Sequence, residues 1–236
     1  MALILRVDVD KPYGHSGLVR KIASKIAEDY FSIPVVGSFK YLSHLVPFLE
    51  YCNKENISGF IYHRQCTTPN EKVIKLLMSG GHKLGFHAEN TRSFETFNEE
   101  LCSFKEKVKP IQVESFTKHG SGTLKLGKHH YPPYEPEKYK DWSERAGSRF
   151  YFGNGICKNE IDLYSEEGFF SNMFWIERDY RDPDFFDFPK LLSAAKNKDV
   201  VILIHPCNFH AFKTVADDFK LLVRLSKEQK IEWKIF

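Results

Sequence analysis

The chain is expected to be an α/β protein, a closed or nearly closed β/α barrel of seven or eight mostly parallel strands, on three observations. Short apolar runs alternate with amphipathic helical stretches along the whole length, the pattern of a parallel sheet covered by its own crossovers. The most apolar run, Asp199 to Ile204, is apolar on both faces, as a strand buried within a parallel sheet must be. With 236 residues and 42% hydrophobic content the chain can bury one sizeable core, and barrels of this kind are commonly single domains at this length. An open doubly wound sheet is the competing arrangement.

The elements follow in order. Leu3 to Val9 is a strand that ends at Asp10-Lys11-Pro12, where proline cannot extend a ladder. Gly17 to Phe31 places Leu18, Ile22, Ile26 and Tyr30 on one helical face. Tyr41 to Cys52 is a second helix in which Pro47 predicts a kink or a late start. Ile57 to His63 is a strand, Asn70 opens a helix over Glu71 to Met78, and Gly80-Gly81 stops it. Lys83 to His87 is a strand and Glu95 to Val108 a helix. Ile111 to Thr117 is a strand leading to Lys118-His119-Gly120.

The stretch Ser121 to Glu137 is too long for a mere connector, and loops of that length are usually lids or binding loops. Beyond it come a helix at Pro136 to Ala146, strands at Arg149 to Phe152 and Gly168 to Ile176, and a helix at Pro189 to Lys196. The strand Asp199 to Ile204, a helix at Val215 to Gln229 and a strand at Ile231 to Phe236 close the chain. No linker or repeat interrupts it, so residues 1–236 are read as one domain.

Composition narrows the function. A net charge of +3 with both signs spread throughout leaves no electrostatic footprint for nucleic acid. No apolar run reaches the roughly 18 residues of a membrane span. Five cysteines without a C-x-x-C pair read as reduced thiols, which with the lack of a leader pattern predicts a cytoplasmic protein. The 21 phenylalanines suit core packing first and sugar-stacking platforms second.

Chemistry-bearing side chains gather at strand ends. Asp8 and Asp10 share one side of the first strand because strand side chains alternate. Two carboxylates pointing one way call for a cation or a shared proton between them. Alone, such a pair is more readily read as a turn cap beside a solvated carboxylate. His63, His87, His119 and His205 also follow apolar strand-like runs, so a barrel would bring them to one mouth. Carboxylate and imidazole donors together suit zinc or another divalent first-row metal, with a second aspartate left as base and a second histidine as acid.

These residues carry a resemblance. Asp8-Val9-Asp10 resembles the aspartate pair of the polysaccharide deacetylases, the family 4 carbohydrate esterases. Gly81-His82-Lys83-Leu84-Gly85-Phe86-His87 resembles that family's histidine-ended run, Ser58 to Tyr62 its preceding strand, and Ile202-Leu203-Ile204-His205-Pro206 its late strand. The motifs fall in the right order across about 200 residues. The resemblance implies the family's distorted β/α barrel and a hydrolase that removes an N-acetyl group from an amino sugar or glycoconjugate precursor. It implies Asp8 as general base, Asp10 and His87 as metal ligands, and His205 as the acid, around zinc or alternatively cobalt or nickel.

One departure stands out. The family usually places a second histidine four residues after the first, where this chain has Thr91. Asn90 or Thr91 binding through oxygen, His119 completing the shell, and loss of the metal all remain open. His119, Gly120 and Tyr134 are the candidate substrate contacts, with His129-His130 on a lid or a solvated loop. His82 is expected to pack locally. Arg178 to Asp182 is either an exposed charged turn or the source of a carboxylate that orients a catalytic group. Catalytically impaired carbohydrate binding and an amidase for a small nitrogenous compound are the rival functions.

Overall fold

The first strand, β1 (Ala2–Val9), is buried along its whole length and has parallel partners on both edges. The computed structural model describes residues 1–9, 18–26, 41–119, 135–156, 165–166, 169–178 and 188–236. From β1 the parallel pairings run through β2 (Gly59–His63), β3 (Lys83–Ala88), β4 (Val113–Lys118) and β5 (Phe150–Ile156). The strand β6 (Ser165–Glu166) pairs antiparallel with β7 (Phe169–Trp175), which lies beside β5. Then β8 (Val200–Ile204) joins β7 to β1. Seven parallel strands thus return to their starting point in a distorted β/α barrel, the predicted class.

A short β9 (Glu232–Trp233) pairs with Ala2 and Leu3, the part of β1 that β2 leaves uncovered. It replaces the longer final strand expected from Ile231 to Phe236. The ring of Phe236 packs 5.1 Å from that of Phe60.

Alternation along the strands sorts two apolar layers. Leu3, Leu5, Val7 and Val9 join the larger core with Leu45, Phe48, Phe97, Phe104 and Phe219, residues of the surrounding helices. Ile4 instead packs with Phe60, Tyr62, Phe152, Met173, Val201 and Leu203, the filling of the barrel. Arg6 and Asp8 have the parity of Ile4, so they too face inwards. Gly85 is required beside this filling, because a Cβ there would stand 2.2 Å from the Tyr62 ring.

The helices are α1 (Leu18–Ile26), α2 (Tyr41–Glu55), α3 (Glu71–Ser79), α4 (Phe94–Lys107), α5 (Pro136–Arg145), α6 (Phe188–Ala195), α7 (Pro206–Ala211) and α8 (Lys213–Glu228). Asn70 caps α3 by accepting the Val73 N–H, as its position before the apolar run implied. The helix α2 begins at Tyr41 and runs through Pro47, so the late start is corrected. Neither α7 nor β6 is announced by the sequence; each is too short for periodicity to register. On α1, Leu18, Ile22 and Ile26 are exposed, and Tyr30 lies outside the described residues.

Candidate active site at the barrel mouth

Asp8 sits one residue from the carboxyl end of β1 and is buried. Arg6, one pleat below, donates from Nε to Oδ1 at 2.9 Å and from Nη2 to Oδ2 at 2.7 Å. The guanidinium is itself anchored, its Nη1 donating to the Gly153 carbonyl at 2.7 Å. Burial alone would raise the Asp8 pKa, but the charge of Arg6, reinforced by His87, reverses this and holds it below the usual carboxylate value. Sequence reading overlooked Arg6, although the alternation that aligned Asp8 with Asp10 also aligns Arg6.

His87, the penultimate residue of β3, places Nε2 3.7 Å from Asp8 Oδ2. His119 follows β4, its N–H bonded to the Ala88 carbonyl at 2.8 Å, which keeps it in register beside β3. The His87 and His119 rings lie 5.0 Å apart between centroids. Thr91 is fully buried, and its Oγ1 has no hydrogen-bond partner among the described residues.

Two neighbouring imidazoles and a carboxylate are donors of the kind a divalent first-row cation takes. Among the described residues no three His, Cys, Asp or Glu side chains form a metal-binding group. Asp10, the other carboxylate of the sequence pair, lies outside the described residues.

His205 follows β8, and a carboxylate holds it. Glu177, just past β7 and buried, accepts the His205 backbone N–H at 2.7 Å through Oε1. The same oxygen lies 2.9 Å from His205 Nδ1. With Nδ1–H directed at Glu177, Nε2 becomes the nitrogen available for proton transfer. The half-buried Trp175 ring lies 5.5 Å from the imidazole. Val7 pairs in register with Ile204 on β8, so Asp8 and His205 follow at the same end of two neighbouring strands. Glu177 is one residue before the charged stretch singled out as a source of an orienting carboxylate. It was missed because it ends an apolar strand instead of standing among the charges.

A second, partly buried network holds the segment that follows His87. Arg64 is ion-paired with Glu89, two residues beyond His87. Glu100 of α4 accepts the backbone N–H groups of Glu89 at 3.3 Å and Asn90 at 3.1 Å. Burial, with Glu89 nearby, pushes the Glu100 carboxyl up to about 8. Lys138 of α5 donates to the Thr91 carbonyl at 3.1 Å. Three elements therefore pin the segment that follows His87.

Other predicted residues fall elsewhere. His63 pairs in register with Val9 and Phe86, which face the helices, so alternation turns it away from the mouth. Its Nδ1 bonds the Thr67 carbonyl at 2.6 Å, and burial depresses its pKa to about 4. His82 packs locally, between the Gly59 N–H at 3.1 Å and Asn53 Oδ1 at 2.7 Å. Gly120, Tyr134, His129 and His130 lie outside the described residues, as does the charged stretch after Arg178.

Fold and mouth together define a β/α barrel with acidic and imidazole groups where its strands end, the place where such barrels keep their active sites. No family model matches the chain, and no curated protein matches it. Among solved structures it is similar to a family 4 acetyl xylan esterase from Clostridium thermocellum in complex with a cobalt ion. The TM-score is 0.46 at 10% identity, over 98% of this chain and 86% of the other. A likeness at that level transfers no chemistry. No helix among the described residues is long and apolar enough to cross a membrane.

Proposed function

We propose that the protein is a metal-assisted hydrolase of a carbon–nitrogen bond, removing an N-acetyl group from an amino sugar or glycoconjugate precursor. The supporting observation is that the Asp8–His87–His119 contacts and the His205–Glu177 dyad both lie at the carboxyl ends of the parallel strands, with β1 and β8 adjacent in register. His87 and His119, with Asp10, would hold the cation, and Thr91 Oγ1 is a further oxygen donor. Once bound, a divalent ion polarises the acyl carbonyl and acidifies a water molecule. Asp8, kept ionised by Arg6, takes the proton of the attacking water; its lowered basicity is a handicap and its permanent charge an advantage. His205, aligned by Glu177, gives a proton to the leaving amine as the tetrahedral intermediate collapses. Gly120 and Tyr134 are the proposed substrate contacts, in keeping with the sugar substrate that the sequence resemblance implies.

The test is acetate release from soluble N-acetylated amino sugars by protein supplied with zinc, cobalt or nickel. Release should disappear with a chelator and in His205→Ala. Release that survives both treatments rejects the mechanism. A second reading is favoured by the two Asp8 oxygens already engaged by Arg6 and by the neutral Thr91 hydroxyl: a carbohydrate-binding barrel without turnover. Glycan binding without acetate release, with each metal supplied, would select it.

A further inference from the structure

Glu177 aligns His205 only if Glu177 is itself held, and the chain leaves β7 at this point. The Ile176 N–H, one residue past the end of β7, bonds the Leu203 carbonyl at 3.0 Å. One residue beyond Glu177, Arg178 reaches α8 and grips Asp218 with both prongs, Nε to Oδ2 at 2.7 Å and Nη2 to Oδ1 at 2.7 Å. Asp218 is buried beside the core residues Phe219 and Val215, where a carboxylate is costly unless paired. Arg178 is about half exposed, and an ion pair so placed adds little stability as a rule. Its geometry is more specific than its energy. A planar fork on a buried carboxylate fixes position and direction together.

We infer that the Arg178–Asp218 pair is a positioning device for His205, acting through Glu177. The inference rests on the proposed role of the His205–Glu177 dyad. The clasp anchors the strand exit to α8, and Asn208 Nδ2 steadies Glu177 Oε1 from α7 at 3.3 Å. With the clasp open, the exit can swing, and Oε1 no longer meets both the amide and the ring of His205. The two residues carry opposite charges, which separates this mechanism from a direct field effect. Removing the Asp218 charge and removing the Arg178 charge would act on a nearby imidazole with opposite sign through space. Through Glu177 they act with the same sign.

The experiment is an NMR titration of the His205 ring, assigned by its loss in His205→Gln, with thermal unfolding of each sample. Glu177→Gln should move the His205 titration to lower pH, because the anionic partner is gone. Asp218→Asn and Arg178→Ala should both move it the same way by a smaller amount, and Arg178→Lys by less again, since the charge stays and the fork is lost. Lys227→Ala, which breaks the remote pair with Glu55, should leave it in place. Shifts of opposite sign in Asp218→Asn and Arg178→Ala, or none in either beside a clear shift in Glu177→Gln, overturn the positioning role alone. No shift in Glu177→Gln itself overturns the dyad and the inference with it. If Asp218→Asn does not fold, the two Arg178 variants carry the same readout.

Discussion

Arg6 and Asp8, two residues apart on β1, close a two-pronged ion pair inside the barrel, with Nη2 2.7 Å from Oδ2. Both side chains are almost wholly buried. Their shared parity makes the pair intrinsic to the strand, so the acid at the mouth comes with its own counter-ion. No helix or loop has to dock before that charge is balanced.

Arg6→Met keeps an apolar stem of similar length but leaves Asp8 buried without its partner. Breaking a buried pair from one side costs about 3–5 kcal/mol. Urea unfolding should show a loss of that order, and adding Asp8→Asn should restore much of it. The pH dependence follows from the lowered Asp8 pKa. The stabilisation is complete above the ordinary value of 3.8 and is lost as pH falls through the lower folded value. Asp8→Asn should therefore flatten the acid limb below that point. A single variant as stable as the parent contradicts the pairing.

Gly85→Ala tests the filling below the mouth. The new methyl would meet Tyr62, whose hydroxyl is tied to Ser115 Oγ at 2.9 Å and so resists displacement. Overpacking of this kind costs about 1–3 kcal/mol. Denaturant melts should show that loss, and Tyr62→Ala in the same chain should relieve part of it. Additive penalties would mean that the two side chains do not compete for one space.

The barrel was legible because its strands are long enough for parity to show and its helices long enough for a 3.6-residue period. Tertiary partners decided the remainder. His63 ends an apolar run just as His87 does, yet one residue of parity sends it to the helix layer, and run endings alone do not reveal register. Arg6 was readable in principle from the spacing of Leu5-Arg6-Val7-Asp8. Glu177 was not, because its partner His205 is 28 residues away and reaches it only across two adjacent strands. The Glu100 clamp on the Glu89 and Asn90 amides is equally silent in sequence, since its acceptors are met by backbone groups.

Glu100 gives the fold a pH signature of its own. Its carboxyl is raised from 4.5 to about 8, chiefly by burial and then by Glu89, so the folded state binds a proton that the unfolded chain releases earlier. The associated stability is fully present below pH 4.5 and is lost as pH rises through about 8. Glu100→Gln retains an oxygen acceptor for the Glu89 and Asn90 amides without titrating. Unfolding midpoints measured from pH 5 to 9 should decline in the parent and stay flatter in the variant. Equal slopes would place the Glu100 proton elsewhere.

Thr91→His places an imidazole four residues after His87, one helical or turn spacing along the segment that leaves β3. Thr91 is fully buried with an unsatisfied hydroxyl, so the site lacks a hydrogen-bond partner but also lacks spare surface. The larger ring must use the space beside its own backbone, which Lys138 pins through the Thr91 carbonyl. If the position faces the cation, exchanging a neutral hydroxyl for an imidazole nitrogen should tighten zinc or cobalt binding by about tenfold or more, the scale on which ligand-shell changes act. Isothermal titration calorimetry reads the affinity, and the visible spectrum of the cobalt form reads whether a nitrogen ligand has been added. A folded variant with unchanged affinity and spectrum would place residue 91 outside the ligand shell.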